Sequence, residues 1–168
     1  MIVILRLVHI LSATFWVGTL LFTAFFLFPA LTEAGPAAGA VMGGLRKRGF
    51  LIALPVSALL TLLSGASLLW IASGGDIGAY SRTPVGRVFT MAGGLAIIGF
   101  LIGLIVARPA GEKLMQLTPE MAAMPEGPAR AALQGQIAGL QRRVAMSTVF
   151  VSILVIIAAS GMAVARYM

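Results

Sequence analysis

Four stretches of this chain, residues 7–31, 49–75, 88–107 and 144–165, carry no charged residue. Each reaches or exceeds the roughly 20 residues that a helix needs to cross the hydrocarbon core of a bilayer. Inside hydrocarbon every backbone N–H and C=O must find its partner within the protein, which leaves only helices and closed barrels as spanning structures. A barrel would show segments of about 10 residues with alternating polarity, and none is present. The fold predicted is therefore all-α: an integral membrane four-helix bundle, one domain over 1–168, with spans at about 7–31, 50–73, 88–107 and 144–165. Composition agrees, since only 10% of residues are charged against about a quarter in soluble domains.

The first run is much longer than the roughly 7–15 residues of a secretion-signal core, and no small-x-small cleavage site follows it. It is expected to be an uncleaved first span. The chain has no cysteine, which excludes disulfides, thiolate metal sites and thiol redox chemistry. The net charge of +7 reports orientation in a membrane protein and gives no reason to expect a nucleic-acid partner.

The basic residues divide unevenly. Arg46, Lys47, Arg48, Arg108, Lys113, Arg130, Arg142 and Arg143 lie in the first and third connections, eight in all, against four (Arg6, Arg82, Arg87 and Arg166) at the termini and in the 76–87 loop. The positive-inside rule then places 32–48 and 108–143 in the cytoplasm and both termini outside. In the long connection, Thr118 and Pro119 read as an N-cap and first helical residue. Pro128 reads as the start of a helix that runs into the fourth span. Within the bilayer, Ala92, Ala96, Gly99, Gly103 and Ala107 form a stripe of small residues suited to close helix contact. Pro55 should kink the second span, and Ser64, Gly65, Ala66 and Ser67 should admit a neighbour near its outer half.

Ionisable residues inside a membrane are costly and are functional candidates by default. All five acids, Glu33, Asp76, Glu112, Glu120 and Glu126, lie in connections. This argues against carboxylate-coupled transport and against paired-carboxylate catalysis. The only histidine, His9, remains. Arg6, His9, Ala13 and Trp16 share one helix face at i, i+3 or i+4 spacing. Met91 lies four residues inside Arg87, and Met162 four inside Arg166, so one imidazole and two thioethers reach the same depth near the outer surface. Imidazole with thioether suits Cu(I), and histidine with methionine is an axial pair for haem iron. Arg6, Arg82, Arg87 and Arg166 would then meet haem propionates. A packed histidine and packed methionines are the alternative reading of the same residues.

"LVHILSATFWVGTLLFTAFFLFPAL" resembles the opening span of the CopD-like and HemJ-like membrane protein group. The shared pattern is His9, six residues, Trp16, one residue and Gly18, with Pro29 where the span ends. "ILVIIAASGMAVARYM" looks like the last span of small proteins of that group. The resemblance implies a bacterial-type inner membrane location and a role for His9 in binding haem b or in copper handling. The later-span histidine and lysine pair of HemJ-type protoporphyrinogen oxidases has no counterpart in 88–107, so an oxidase activity ranks last. A non-catalytic haem- or copper-binding protein ranks first. An accessory subunit of a larger membrane complex ranks second; the partners expected are the lipid bilayer and either a second copy in a homodimer or a larger membrane complex.

The orientation is testable because the chain lacks cysteine. With single Gly39→Cys and Gly78→Cys variants, a membrane-impermeant thiol reagent should label position 78 in intact cells and leave 39 unlabelled. The opposite pattern inverts the topology.

Overall fold

The computed structural model describes the backbone of residues 1–168 and every side chain except those of Pro36 and Arg166. Its elements are α1 (Ile2–Phe22), a π turn (Thr23–Leu27), α2 (Phe28–Ala34), α3 (Ala38–Lys47), α4 (Phe50–Ala72), α5 (Ile77–Tyr80), α6 (Pro84–Ile102), a second π turn (Gly103–Ala107), α7 (Arg108–Ala123) and α8 (Pro128–Val164). Two short 3-10 turns complete the chain. No strand occurs among the described residues.

Four continuous apolar rods result: Ile2–Ala34, Phe50–Ala72, Pro84–Ala123 and Pro128–Val164. All are long and apolar enough to cross a bilayer, so the protein is a multi-pass helical membrane protein. Consecutive rods are neighbours, and the fourth closes back on the first: α1 lies against α4, α4 against α6, α6 against α8, and α8 against α1. The third and fourth rods, at 40 and 37 residues, are well over the roughly 20 that hydrocarbon requires. Their surplus forms the α7–α8 hairpin, with Ala110 and Ile137 buried in it.

Helix boundaries follow local chemistry. Thr83 accepts from the Gly86 N–H and Pro84 opens α6, while Asp76 caps α5 through the Ala79 N–H at 2.9 Å. Pro128 opens α8, which continues unbroken through the fourth span, as its sequence indicates. Thr118 and Pro119 behave differently from expectation. They do not start a helix but lie inside α7, where the Thr118 hydroxyl donates to the Leu114 carbonyl at 2.7 Å. A helix already propagating from α6 and packed on α8 needs no new nucleus. The proline costs only one bond near its last turn. Pro55 sits inside α4, which runs on through it.

The interior is made of small residues. The core cluster joins Trp16 and Leu20 with Ala58, Ala92, Ala96, Val151, Val155 and Ala158. Large apolar side chains such as Leu11, Phe26, Ile52, Leu63, Ile105 and Phe150 point outward, where lipid receives them. The third-span stripe is buried at Ala92, Ala96 and Gly99, against α8. A Cβ at Gly99 would stand 3.4 Å from Val151 Cγ1 and 3.5 Å from Val155 Cγ1. The tight part of the stripe ends there. Gly103 opens the π turn, half-buried and still beside α8. A Cβ at Gly103 meets nothing within 4 Å.

This contrast sets a stability test. Gly99→Leu should overpack the α6–α8 contact and lower stability in detergent by about 1–3 kcal/mol, whereas Gly103→Leu should melt with the parent. Equal loss in both variants would place Gly103 in the contact as well.

Candidate functional site

Among the described residues eight buried polar side chains line the bundle, all of them serines or threonines: Ser12, Thr23, Ser57, Thr61, Ser64, Ser147, Thr148 and Ser152. Most return their proton to a carbonyl three or four residues back, as Ser147 does to Arg143 and Ser152 to Thr148, each at 2.8 Å. Such bonds satisfy the hydroxyl without joining helices. The Thr23 hydroxyl, at the first π turn, is the one buried side-chain oxygen without a partner among the described residues.

The α1–α4 seam differs, because there polar groups reach across. Thr61 Oγ1 lies 2.9 Å from Ser12 Oγ, and Ser12 Oγ donates to the Val8 carbonyl at 2.6 Å. One turn nearer the N-terminus of α1, His9 Nδ1 lies 2.9 Å from the Thr61 carbonyl oxygen. A carbonyl can only accept, so Nδ1 carries the proton and donates it. The Ser64 hydroxyl stands 3.4 Å from the same nitrogen.

Gly65 makes this contact possible. In a helix the side chain at position i+4 leans back over the carbonyl of residue i, so any side chain at 65 would cover the Thr61 oxygen. The missing Cβ leaves that oxygen open. It takes its helical N–H on one lone pair and the imidazole on the other. The fit is close: a Cβ at Gly65 would lie 2.8 Å from His9 Cε1, 3.1 Å from Nδ1 and 3.8 Å from Nε2.

The other nitrogen, Nε2, has no hydrogen-bond partner among the described residues, and the ring is only half-buried. In the neutral ring with Nδ1 protonated, Nε2 holds the lone pair. A histidine oriented by an Nδ1–H to carbonyl bond, with Nε2 free, has the arrangement in which imidazole ligates metal. The donor set therefore fits one nitrogen ligand to a haem iron or a copper ion.

The other residues named from the sequence divide. Trp16 is buried at 5% exposure in the core cluster, and Met162 is half-buried against the same cluster. His9 turns to α4 instead. Met91 does not face inward: it is 65% exposed. Its neighbour Ala92 occupies the α8-facing side of α6, and one residue of helical rotation, about 100°, carries Met91 to the outside. Arg6, Arg82 and Arg87 are exposed, and the Arg166 side chain lies outside the described residues. No group of three or more His, Cys, Asp or Glu residues is assembled among the described residues.

Thr61 and Ser64 were legible as part of a hydroxyl stripe at i, i+4 and i+7 with Ser57, but nothing in sequence spacing tied that stripe to His9. No family model, no curated protein and no solved structure matches the chain.

The cradle can be tested by coupling. Gly65→Ala should displace the ring and lower stability by about 1–3 kcal/mol. In a His9→Ala background the same change should be neutral or favourable, because alanine is the better helix former. Equal effects in both backgrounds would show that the ring does not rest on Gly65.

Proposed function

We propose that this chain is a small, non-catalytic inner-membrane protein that binds or handles haem b or copper through Nε2 of His9 on the outer side of the bilayer. The observation that carries this reading is the imidazole held by the Thr61 carbonyl over Gly65, with its second nitrogen unpartnered. The resemblance of the first span to CopD-like and HemJ-like proteins points the same way, since there too the histidine precedes Trp16 and Gly18 in this spacing. His9 is the residue that would hold the metal. The α1–α4 seam fixes its tautomer and direction before any ligand arrives, which removes an ordering cost from binding.

A bound haem or copper would supply one-electron redox chemistry or a transferable metal ion. This chain's own residues hold the imidazole aimed, and keep Nε2 accessible near the outer ends of α1 and α4. Met162 is the in-chain thioether that remains a candidate second donor. Met91, turned outward, can serve only a neighbouring chain, in a homodimer or a larger complex.

A second reading, an accessory subunit of a larger membrane assembly, is favoured by the same hydrogen bond. Nδ1–H on a carbonyl is also how a purely structural histidine pins two helices.

Protein purified from native membranes in mild detergent separates the two. The haem or copper reading expects a Soret band or copper near one per chain, reduced at least about tenfold in His9→Ala while the helical fold survives. Colourless, copper-free parent protein overturns it, and stoichiometric co-purifying partners would then support the accessory-subunit reading.

A further inference from the structure

Seven of the eight buried hydroxyls donate to a carbonyl three or four residues back in their own helix. Thr23 does not. The residue is 5% exposed, and its Oγ1 has no hydrogen-bond partner among the described residues.

The backbone sets Thr23 apart. It opens the π turn Thr23–Leu27, and Pro29 follows two residues after that turn. A proline ring crowds the carbonyl four residues before it and supplies no N–H. Inside a membrane a local π turn is one way to accommodate this. The second π turn, Gly103–Ala107, stands at the same distance before Pro109.

Depth and packing bring Thr23 to the α1–α8 seam. Its π turn lies against α8. Trp16 shares the core cluster with Val155. The two helices run in opposite directions, so two turns further toward the inner side stand Thr23 on the first rod and Thr148 on α8. Thr148 and Ser152, four residues apart, share one face of α8, and both are buried. Their protons are committed to the Val144 and Thr148 carbonyls, at 2.8 Å each. Each therefore offers the seam only oxygen lone pairs, while Thr23 offers an uncommitted proton.

We infer that the α1–α8 seam binds one buried water molecule at Thr23. The water accepts the Thr23 hydroxyl proton and donates its own two to the hydroxyl oxygens of Thr148 and Ser152. About three bonds to otherwise unsatisfied polar groups is the usual complement of a buried water. Polar groups that face each other beyond hydrogen-bond distance are joined in this way. In hydrocarbon the alternative is a stranded hydroxyl. A cation is the wrong ligand, because the Thr23 proton needs an acceptor and all five acids of the chain lie outside the spans. The water gives the α1–α8 seam a polar bridge of its own beside the glycine contacts of α6–α8 and the direct bonds of α1–α4. The inference does not rest on the role of His9.

The test uses the full chain in lipid bilayers with its threonines labelled by carbon-13 and nitrogen-15. Water-edited solid-state NMR then reports which side chains lie beside water. Thr61 is equally buried but is bonded to Ser57 and Ser12, so it serves as the dry standard. Thr23 and Thr148 should take up water signal well ahead of Thr61. In Thr23→Val, which keeps the shape and removes the hydroxyl, Thr148 should lose that advantage. The same variant should raise the unfolded-to-folded ratio in detergent about threefold, the average worth of one polar bridge between membrane helices, and Thr23→Ser should match the parent. An orphaned hydroxyl in a dry seam has the opposite sign: valine would then remove a stranded group and stabilise the fold. A stabilised Thr23→Val overturns the inference. So does a parent Thr23 as dry as Thr61, a result that needs no variant to fold.

Discussion

The hydrophobic effect cannot hold this bundle together, because lipid tails solvate leucine as well as another helix does. Everything tertiary in the structure depends on what remains: close approach of backbones and the pairing of polar groups that hydrocarbon would strand. The distribution of residue size follows. Alanine, glycine, serine, threonine and valine fill most of the centre with Trp16 and Leu20, while most phenylalanines, isoleucines and leucines cover the outside.

The two principal seams meet this constraint differently. Between α6 and α8 the device is steric. Gly99 faces Val151 and Val155, and Gly161 faces Val88 and Ala92, so each helix presents a glycine to the other's branched or small side chains. Between α1 and α4 the device is polar: Ser12 meets Thr61, and His9 meets the Thr61 carbonyl. Interhelical bonds of this kind are worth about 0.6 kcal/mol each on average in membranes. They therefore add little raw stability, but they fix register, since sliding α1 by one residue would break both at once.

The candidate site is a by-product of that second seam. A histidine that pins two helices through Nδ1 is thereby left with an oriented Nε2 that makes no hydrogen bond among the described residues. Structural and ligating roles are therefore two uses of one geometry, and Gly65 serves both. The hydrogen bond settles the tautomer; the use of the free nitrogen is settled by what the native protein carries.

The architecture was legible because its causes are one-dimensional. Charge-free length dictates spans, the absence of alternating polarity excludes a barrel, and Pro128 starts a helix wherever it stands. Most of the Ala92–Gly99 stripe was legible for the same reason, since helical period alone brings those residues to one face. Other features were decided in three dimensions. Thr118 and Pro119 look like a helix start, yet packing on α8 carries α7 through them. Gly103 continues the stripe in sequence, yet a Cβ there would meet nothing within 4 Å. Met91 was expected at the depth of His9, but its direction is set by Ala92 turning toward α8. Above all, the sequence determined that one histidine would lie near the end of the first span. Only the tertiary structure decided which nitrogen would be free, because that choice was made by a backbone carbonyl 52 positions away, uncovered by the glycine one turn beyond it.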